Sequence, residues 1–393
     1  MAKKILSAIL AIFLLSGCSS YKETNNLAIV LGFGIDYDME KKEYEVTLQL
    51  VNPNGVAKTS GGQAGVPVIN INGKGRTLTE AARNASKSFS RVTIYSHLTL
   101  IVLSEEFARE VGINFILDTF ERDAKVRTNS LMVIAKGQAA KELLSVIPVM
   151  DSIPATSLVK KIESTSRVLG QNPNNFVHKV IGGLTSKGQE PVINGASSVG
   201  DLEKGAGLQN IESLKDTFIK IDGIGIFRNG VLVDWMNGDK AKSLQIISNE
   251  LKSTEVTLAC GEQGTLSAIT RLKATKTNVS YQNGKARISV KVSGNGFLTE
   301  MLCNLQFDKP EVLKEIENSL QKEIEQNVLE GIRFAQDKES DIFGFGEMLH
   351  RSNPKQWKKA EDNWNQTFAD ATVEVEADIY LYGTGMRTKA YPF

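Results

Sequence analysis

The sequence predicts an α+β protein with about three mixed sheet-and-helix domains behind a cleaved signal peptide. Three patterns lead to this fold class. An early strand, a helix of about 18 residues and a second strand have the spacing of a parallel crossover. Two later hairpins turn at Asn-Gly pairs, and a long helix with one apolar stripe follows them. The two halves of the chain are therefore predicted to differ in architecture.

Residues 1–17 have the layout of an export signal: two lysines, an uncharged apolar run over 5–15 and a pair of small residues. The run is too short for a permanent membrane helix, which needs about 20 residues. Its end, LSGC, resembles the bacterial lipobox, in which the cysteine sulfur is diacylglycerylated and the chain is cut just before it. We therefore expect Cys18 to be the lipid attachment site. The alternative is an ordinary secretory signal with an incidental cysteine.

Residues 18–26 are mostly polar with nothing to pack, so they are predicted to be a lipidated N-terminus and tether. Two or more acyl chains, at about 0.8 kcal/mol per buried CH₂, hold a protein on a membrane stably. Cys18 is thus interpreted as an anchor rather than a catalyst. No later window has 18 consecutive apolar residues, which predicts a water-soluble ectodomain.

The first predicted domain, 27–205, opens with strands over 27–35 and 44–51 joined as a hairpin. A Gly-, Ser- and Asn-rich stretch over 52–65 predicts a surface loop. The capping-box pattern TLTE, which begins at Thr77, predicts a helix from 78 to about 90.

A strand over 97–103, a helix capped by Ser104 and a strand over 130–135 form the predicted parallel crossover. Further helices are predicted over 138–147 and 155–169, where prolines separate them.

A glycine-rich stretch suggests a domain boundary near 200–215. The next predicted domain, 216–255, holds a hairpin that turns at Asn229-Gly230 and a helix over 239–251. The last, 256–393, holds a second hairpin at Asn283-Gly284 and a helix from Asp308 whose apolar residues recur every three or four positions. A further helix carries Trp357, Trp364 and Phe368, and an alternating strand over 372–383 closes the chain.

The composition excludes several functional classes. Formal charge is +1, with 46 basic and 45 acidic side chains well mixed, so no field is expected that would concentrate nucleic acid or an anionic membrane surface. Besides Cys18 only Cys260 and Cys303 remain. We interpret them as two small buried residues; a bridge or a reactive thiol is the alternative.

The sequence contains no complete catalytic or metal-binding motif, which predicts that the protein has no such site. The Gly-x-Gly pairs, the last two of which begin at Gly344 and Gly383, lack the third glycine of a nucleotide loop, so they are interpreted as tight strand ends and bulges. Ser96 and His97 are predicted to lie on opposite faces of a strand, where they could not act as nucleophile and base. The isolated histidines His97, His178 and His350 are interpreted as structural. Asp36 and Asp38 lie in a predicted turn and are interpreted as satisfying backbone groups there.

Several stretches together resemble the Ger(x)C family, the lipoprotein C subunit of nutrient germinant receptors in spore-forming bacteria. They are LLSGC, LAIVLGFGIDYD with YEVTLQLVNP, SRVTIYSHLTLIVLSEEFAREVG, IDGIGIFRNGVLVDWMNGDKA, and DIFGFGEMLHRSNPKQWKKAEDNWNQTFADATVEVEADIYLYGTG. One departure is SSYKETN after Cys18, where many relatives look like Cys-Trp-Asp-x-Arg-Glu. Lys22 and Glu23 keep only part of that charge pattern.

The resemblance implies a three-domain mixed α/β ectodomain anchored to the outer face of the spore inner membrane. It also implies two integral membrane partners, an A subunit and a transporter-like B subunit, in a receptor that triggers germination in response to nutrients. It implies no enzymatic activity and no agreed ligand pocket. The missing metal and nucleotide motifs predict no metal and no cofactor apart from the covalent lipid. Cys18 alone carries over as a functional residue, and direct binding of the germinant by this subunit stays open.

Two other functions are weighed against this one. A solute-binding lipoprotein that delivers a ligand to a transporter usually has two similar lobes, whereas these halves differ in pattern. A cell-envelope hydrolase is disfavoured because no nucleophile, metal or paired-acid motif is found. As a weaker hypothesis, Phe343, Phe345 and Trp357 form a partner interface, although core packing is the favoured interpretation.

Overall fold

The computed structural model describes residues 26–56, 66–122, 127–151, 153–207, 217–260, 264–303 and 309–383. The predicted signal peptide, Cys18 and nearly all of the tether lie outside the described residues, as does most of the loop predicted over 52–65.

A nine-stranded mixed sheet forms the first half of the structure. Its order is β3-β2-β1-β5-β6-β7-β8-β9, with β4 pairing beside the start of β1. The strands β1, β5, β6 and β7 are mutually parallel, which confirms the predicted crossover. The strands are Leu27–Asp38 (β1), Glu43–Val51 (β2), Val68–Gly75 (β3), Val92–Ile94 (β4), Leu100–Ser104 (β5), Leu131–Ala135 (β6), Val192–Gly200 (β7), Thr217–Arg228 (β8) and Val231–Met236 (β9).

Helices cover both faces of this sheet, so all five residues of β5 and all five of β6 are buried. Alternate residues of β5 belong to different cores: Ile101 packs on one face and Leu100 on the other. The helices are Pro53–Val56 (α1), Leu78–Ala85 (α2), Glu105–Glu110 (α3), Asn114–Arg122 (α4), Ala140–Ser145 (α5), Pro154–Leu169 (α6), Val177–Thr185 (α7) and Leu202–Gly205 (α8).

The crossover from β5 to β6 contains two helices where the sequence predicts one. Ser104 caps α3 as expected, by accepting a bond from the Phe107 amide at 3.3 Å. The helix then breaks at Gly112, whose φ is +80°. A side chain there would meet the Gly230 carbonyl oxygen at 2.9 Å, and that oxygen accepts the amide of Ile113. Contact with the β8–β9 turn therefore ends α3.

A four-stranded sheet of order β10-β11-β12-β13 forms the second half, with its helices against one face. Both Asn-Gly turns have the positive φ that was predicted for them, 53° at Asn229 and 53° at Asn283. The elements are Lys242–Ile247 (α9), Ser253–Cys260 (β10), Gly264–Gln282 (β11), Lys285–Met301 (β12), Pro310–Asp337 (α10), Phe345–Ser352 (α11), Pro354–Ala360 (α12), Trp364–Ala369 (α13) and Thr372–Gly383 (β13).

The long helix α10 confirms the predicted apolar stripe, which is buried against the second sheet. The predicted start, Asp308, lies outside the described residues, and the helix begins at Pro310. Glutamates on α10 also protect the exposed edge of β13. Glu325 accepts the amide of Ala377 and Glu317 accepts the amide of Leu381, each at 2.8 Å. These bonds occupy donors that a free edge strand would offer to another chain.

A disulfide joins Cys260 to Cys303, with Cα atoms 6.2 Å apart. The expectation of two separate buried thiols is therefore wrong. Cys260 ends β10, and Cys303 lies two residues beyond β12. Because β10 and β12 both pair with β11, the sheet brings these two ends together across 43 residues of chain, a proximity that no local pattern reveals.

The predicted domain bounds stay a prediction, but the hairpin of β8 and β9 has a definite place. It extends the first sheet by pairing antiparallel with β7. Its side chains Ile224, Ile226 and Met236 pack in the apolar core of the second half. The hairpin thus belongs to the sheet of one half and to the core of the other.

Replacing both Cys260 and Cys303 with Ser should lower the free energy of unfolding by about 2–4 kcal/mol, since the cross-link restricts the unfolded chain. Urea denaturation followed by tryptophan fluorescence measures this. The reduced parent protein is the control and should unfold at the same urea concentration as the double variant. Equal stability of the oxidised parent and the variant would contradict the prediction.

Candidate functional site

The predicted lipid attachment site, Cys18, lies outside the described residues, so its role stays a prediction.

Asp36 and Asp38 are not in a turn as expected, because β1 continues through Asp38. Asp36 is buried and accepts the amides of Ala140 and Lys141 at 2.7 and 3.2 Å, at the start of α5. Burial raises the pKa of the Asp36 carboxyl, and these bonds oppose the rise. Asp36 thus satisfies backbone groups, as interpreted, from a strand.

Ser96 and His97 do meet, contrary to the prediction of opposite strand faces. They lie in a turn between β4 and β5, where the Ser96 Oγ is 3.2 Å from the His97 Nδ1. His97 is exposed, so the pair has no enclosed pocket around it. His178 stacks on Phe176 at a ring distance of 5.6 Å, as a structural histidine does. In the part of the chain that the structure describes, no group of three His, Cys, Asp or Glu side chains could hold a metal ion.

The aromatic residues of the weaker interface hypothesis are buried. Phe343, Phe345 and Trp357 are 6, 0 and 4% exposed, which supports core packing, the favoured interpretation. They surround a loop whose central residue, Asp341, belongs to none of the motifs found in the sequence. Gly344 ends this loop and stands at the start of α11, so the interpretation of its Gly-x-Gly pair as a strand end is wrong.

Asp341 is the centre of that loop. Its side chain is fully buried. One carboxylate oxygen accepts the Gly344 amide at 2.9 Å, and the other accepts the Gly346 amide at 2.9 Å and the Trp364 Nε1 at 2.8 Å. Burial raises the pKa of the Asp341 carboxyl to about 6, and these donors oppose the rise. The ionised form depends on them, because a buried charge without hydrogen bonds is costly.

The same loop binds the first half of the structure. Ser340 donates its hydroxyl to the Phe227 carbonyl at 2.6 Å. The Asp341 carbonyl accepts the Glu190 amide at 2.8 Å. The Glu347 amide is bonded to the Gly188 carbonyl at 3.1 Å. We call residues 340–347, which are this loop together with the first three residues of α11, the junction loop. Its internal carboxylate and its outward backbone bonds hold the two halves in one arrangement.

A polar cleft of about 620 Å³ opens beside the junction loop. Glu190 lies between the two halves there: its carboxylate accepts the Asn229 amide from one and the Asn365 Nδ2 from the other. Burial raises the pKa of the Glu190 carboxyl. Arg228 crosses the same boundary to pair with Glu339 at 2.5 Å. The cleft is lined by Asn114, Ser186, Lys187, Glu361, Asp362 and Asn363 among others.

This lining presents charged and amide groups with little apolar surface, so the cleft suits a polar segment of a partner better than an apolar ligand. Glu190, the lining carboxyl whose pKa is raised, accepts a backbone amide, which is a structural use of the acid. The sequence contained a faint signal for this region, since DIFGFGE places an aspartate three and five residues before two glycines. Neither glycine forms a nucleotide loop; a side chain at Gly346 would meet the Trp364 Nε1 at 2.5 Å.

Replacing Trp364 with Phe removes one donor and should raise the pKa of Asp341 further. The parent carboxyl, with a folded pKa of about 6 against 3.8 unfolded, stabilises most when protonated and loses that contribution as pH rises through about 6. Loss of the donor therefore matters most above pH 6. We expect the substitution to cost about 1–2 kcal/mol more at about pH 7.5 than at about pH 5.

Urea unfolding at both pH values measures the difference. Trp357→Phe is the matched control, because Trp357 is equally buried and packs against Trp364 at 5.4 Å without a bond to Asp341 among the described contacts. Its cost should change less with pH than that of Trp364→Phe, although the Trp357 ring packs on His350 at 5.7 Å. A Trp364→Phe cost that depends on pH no more than the control would contradict the assignment of this donor.

Comparisons with known proteins cover almost the whole chain. Residues 20–197 match the family described as "Spore germination protein N-terminal domain", and residues 222–385 match "Spore germination B3/ GerAC like, C-terminal". The chain is 30% identical to "Spore germination protein KC" of Bacillus subtilis (strain 168), over 98% of this chain and 97% of that protein. It is 24% identical to "Spore germination protein B3" of the same organism, over 94 and 95% of the two chains.

A solved structure has the same fold. The "Crystal Structure of the GerBC protein" aligns with a TM-score of 0.55 and 20% identity, covering 89% of this chain and 96% of that one. The two mixed sheets with their helices therefore confirm the predicted α+β, multidomain class. None of the described helices is both long and apolar enough to span a membrane.

Proposed function

This chain belongs to the Ger(x)C family of spore germination proteins, and we propose that it is the lipid-anchored, non-enzymatic C subunit of a nutrient germinant receptor. The observation that carries the proposal is similarity to a spore germination protein along 98% of the chain. The LSGC motif at Cys18 supports the anchor. In this proposal the subunit assembles with the A and B membrane subunits on the outer face of the spore inner membrane.

The architecture suits a subunit that positions partners rather than one that turns over a substrate. The junction loop holds two sheets in one arrangement through bonds from Ser340, Asp341 and Glu347. A tether at Cys18 would confine this rigid body to the membrane surface and raise its effective concentration for membrane partners. Binding surfaces on both halves would then keep a constant separation.

Replacing Cys18 with Ala should move the protein from spore membranes to the soluble fraction, because the acyl chains supply the membrane affinity. Nutrient germination should slow with it. Ser20→Ala, two residues away in the tether, is the matched control and should remain membrane-bound and active. Fractionation with immunoblotting and germination assays measure both properties. Normal germination by spores that hold only soluble protein would count heavily against the proposal.

Assembly is tested separately by purifying the tagged chain from detergent-solubilised spore membranes. The A and B subunits should accompany the parent protein. If the parent chain is retained on membranes but neither subunit is recovered with it, the anchor would stand and the receptor assignment would fail.

A further inference from the structure

One end of the first sheet combines exposed apolar side chains with basic ones. At this end β1 begins, and Leu27 pairs with Val92 of β4. Val92 is 52% exposed. On the side of β1 opposite β4, Val66 is 41% exposed. It lies beside the end of β2, where its carbonyl accepts the Asn52 Nδ2 at 2.7 Å. The chain enters the fold between these two valines.

Basic side chains lie close to these valines, and the nearest described acids, Asp118 and Glu121, lie on the neighbouring helix α4. Arg91 precedes Val92 and is exposed. Arg127 is also exposed, and its carbonyl shares the Ser130 hydroxyl with the carbonyl of Leu98, which places it beside the turn between β4 and β5. The described strand starts, strand ends and turns at this end contain no Asp or Glu: 26–31, 48–56, 66–71, 89–100 and 127–133. On the neighbouring helix α4, the carboxylate of Asp118 is paired with Arg122 at 2.8 Å.

The length of the tether decides which end of the sheet can reach a bilayer. Nine links join Cys18 to Leu27, so full extension spans only about 30 Å. The strand β1 runs for 12 residues, or about 36 Å. An anchored Cys18 therefore allows the end at Leu27 to touch the membrane. It cannot let the opposite end do so, because the tether would have to run back along the whole strand.

We propose that this end of the first sheet, with Val92, Val66, Arg91 and Arg127, lies against an anionic lipid surface. The inference rests on the anchor at Cys18 proposed above. Apolar side chains enter the interface while basic side chains attract acidic headgroups. The proposal departs from the expectation of no attraction to an anionic membrane, which rests on the balance of 46 basic and 45 acidic side chains over the whole chain.

The test compares tryptophans at two equally exposed positions in the purified, lipidated full chain. Val92→Trp reports on the proposed contact. Phe218→Trp is the matched control: Phe218 is 53% exposed and lies at the opposite end of the sheet, where it pairs with Val199 near the end of β7. The proteins are bound to vesicles of phosphatidylcholine and phosphatidylglycerol that contain brominated acyl chains, which quench nearby indoles. The three native tryptophans are buried and give a constant background.

We expect the added indole at position 92 to be quenched at least about twofold more than that at 218, and less so in phosphatidylcholine alone. Arg91→Gln in the Val92→Trp protein should reduce the quenching. Equal quenching at both positions, or none at position 92, would overturn the inference and leave a protein partner as the occupant of this end. Sedimentation with the vesicles in high salt checks the anchor itself. A chain that fails to sediment refutes the anchor, whereas one that sediments with position 92 unquenched refutes only the orientation.

Discussion

The arrangement of the two halves depends on one buried carboxylate, that of Asp341. Its partners are uncharged donors, two backbone amides and an indole. Such a group costs several kcal/mol to bury unless its hydrogen bonds are made. Because those donors belong to the turn that starts α11 and to α13, they are in place only when the second half is folded. The carboxylate thus selects one conformation of the junction loop.

That conformation then determines how the first half attaches. The backbone around Asp341 faces outward and pairs with Glu190, while Ser340 reaches the end of β8. The hairpin of β8 and β9 reinforces this connection, since it pairs with one sheet and packs in the core of the other half. A boundary with apolar contacts and directional hydrogen bonds resists sliding better than either kind of contact alone. The two sheets are therefore best understood as one body.

A single rigid body of this kind suits the proposed role of positioning partner proteins at a membrane surface. The acids with raised pKa, Asp36, Glu190 and Asp341, all accept backbone amides, so the folded chain uses them as structural acceptors. Perturbed acids often mark catalysis, but these ones have no reactive neighbour to serve in the described contacts. The two ends of the first sheet differ instead: the end at Leu27 has exposed valines and arginines and would lie near the proposed anchor, whereas the other end would be remote from it. If Cys18 is lipidated as proposed, the short tether would orient the protein relative to the membrane.

The sequence by itself determined the features that depend on neighbours within a few residues. Asn229 and Asn283 specify turns through their own φ, and the stripe of α10 follows from helical spacing. Ser104 caps α3 by accepting an amide only three residues along the chain. The predicted export signal and the predicted lipid site at Cys18 also rest on local patterns. Only the tertiary structure decided that Cys260 meets Cys303, that α3 ends against the β8–β9 turn, and that Asp341 is a buried centre. Each of these joins segments far apart in the chain, and their proximity is set by sheet pairing and core packing, which no local spacing encodes.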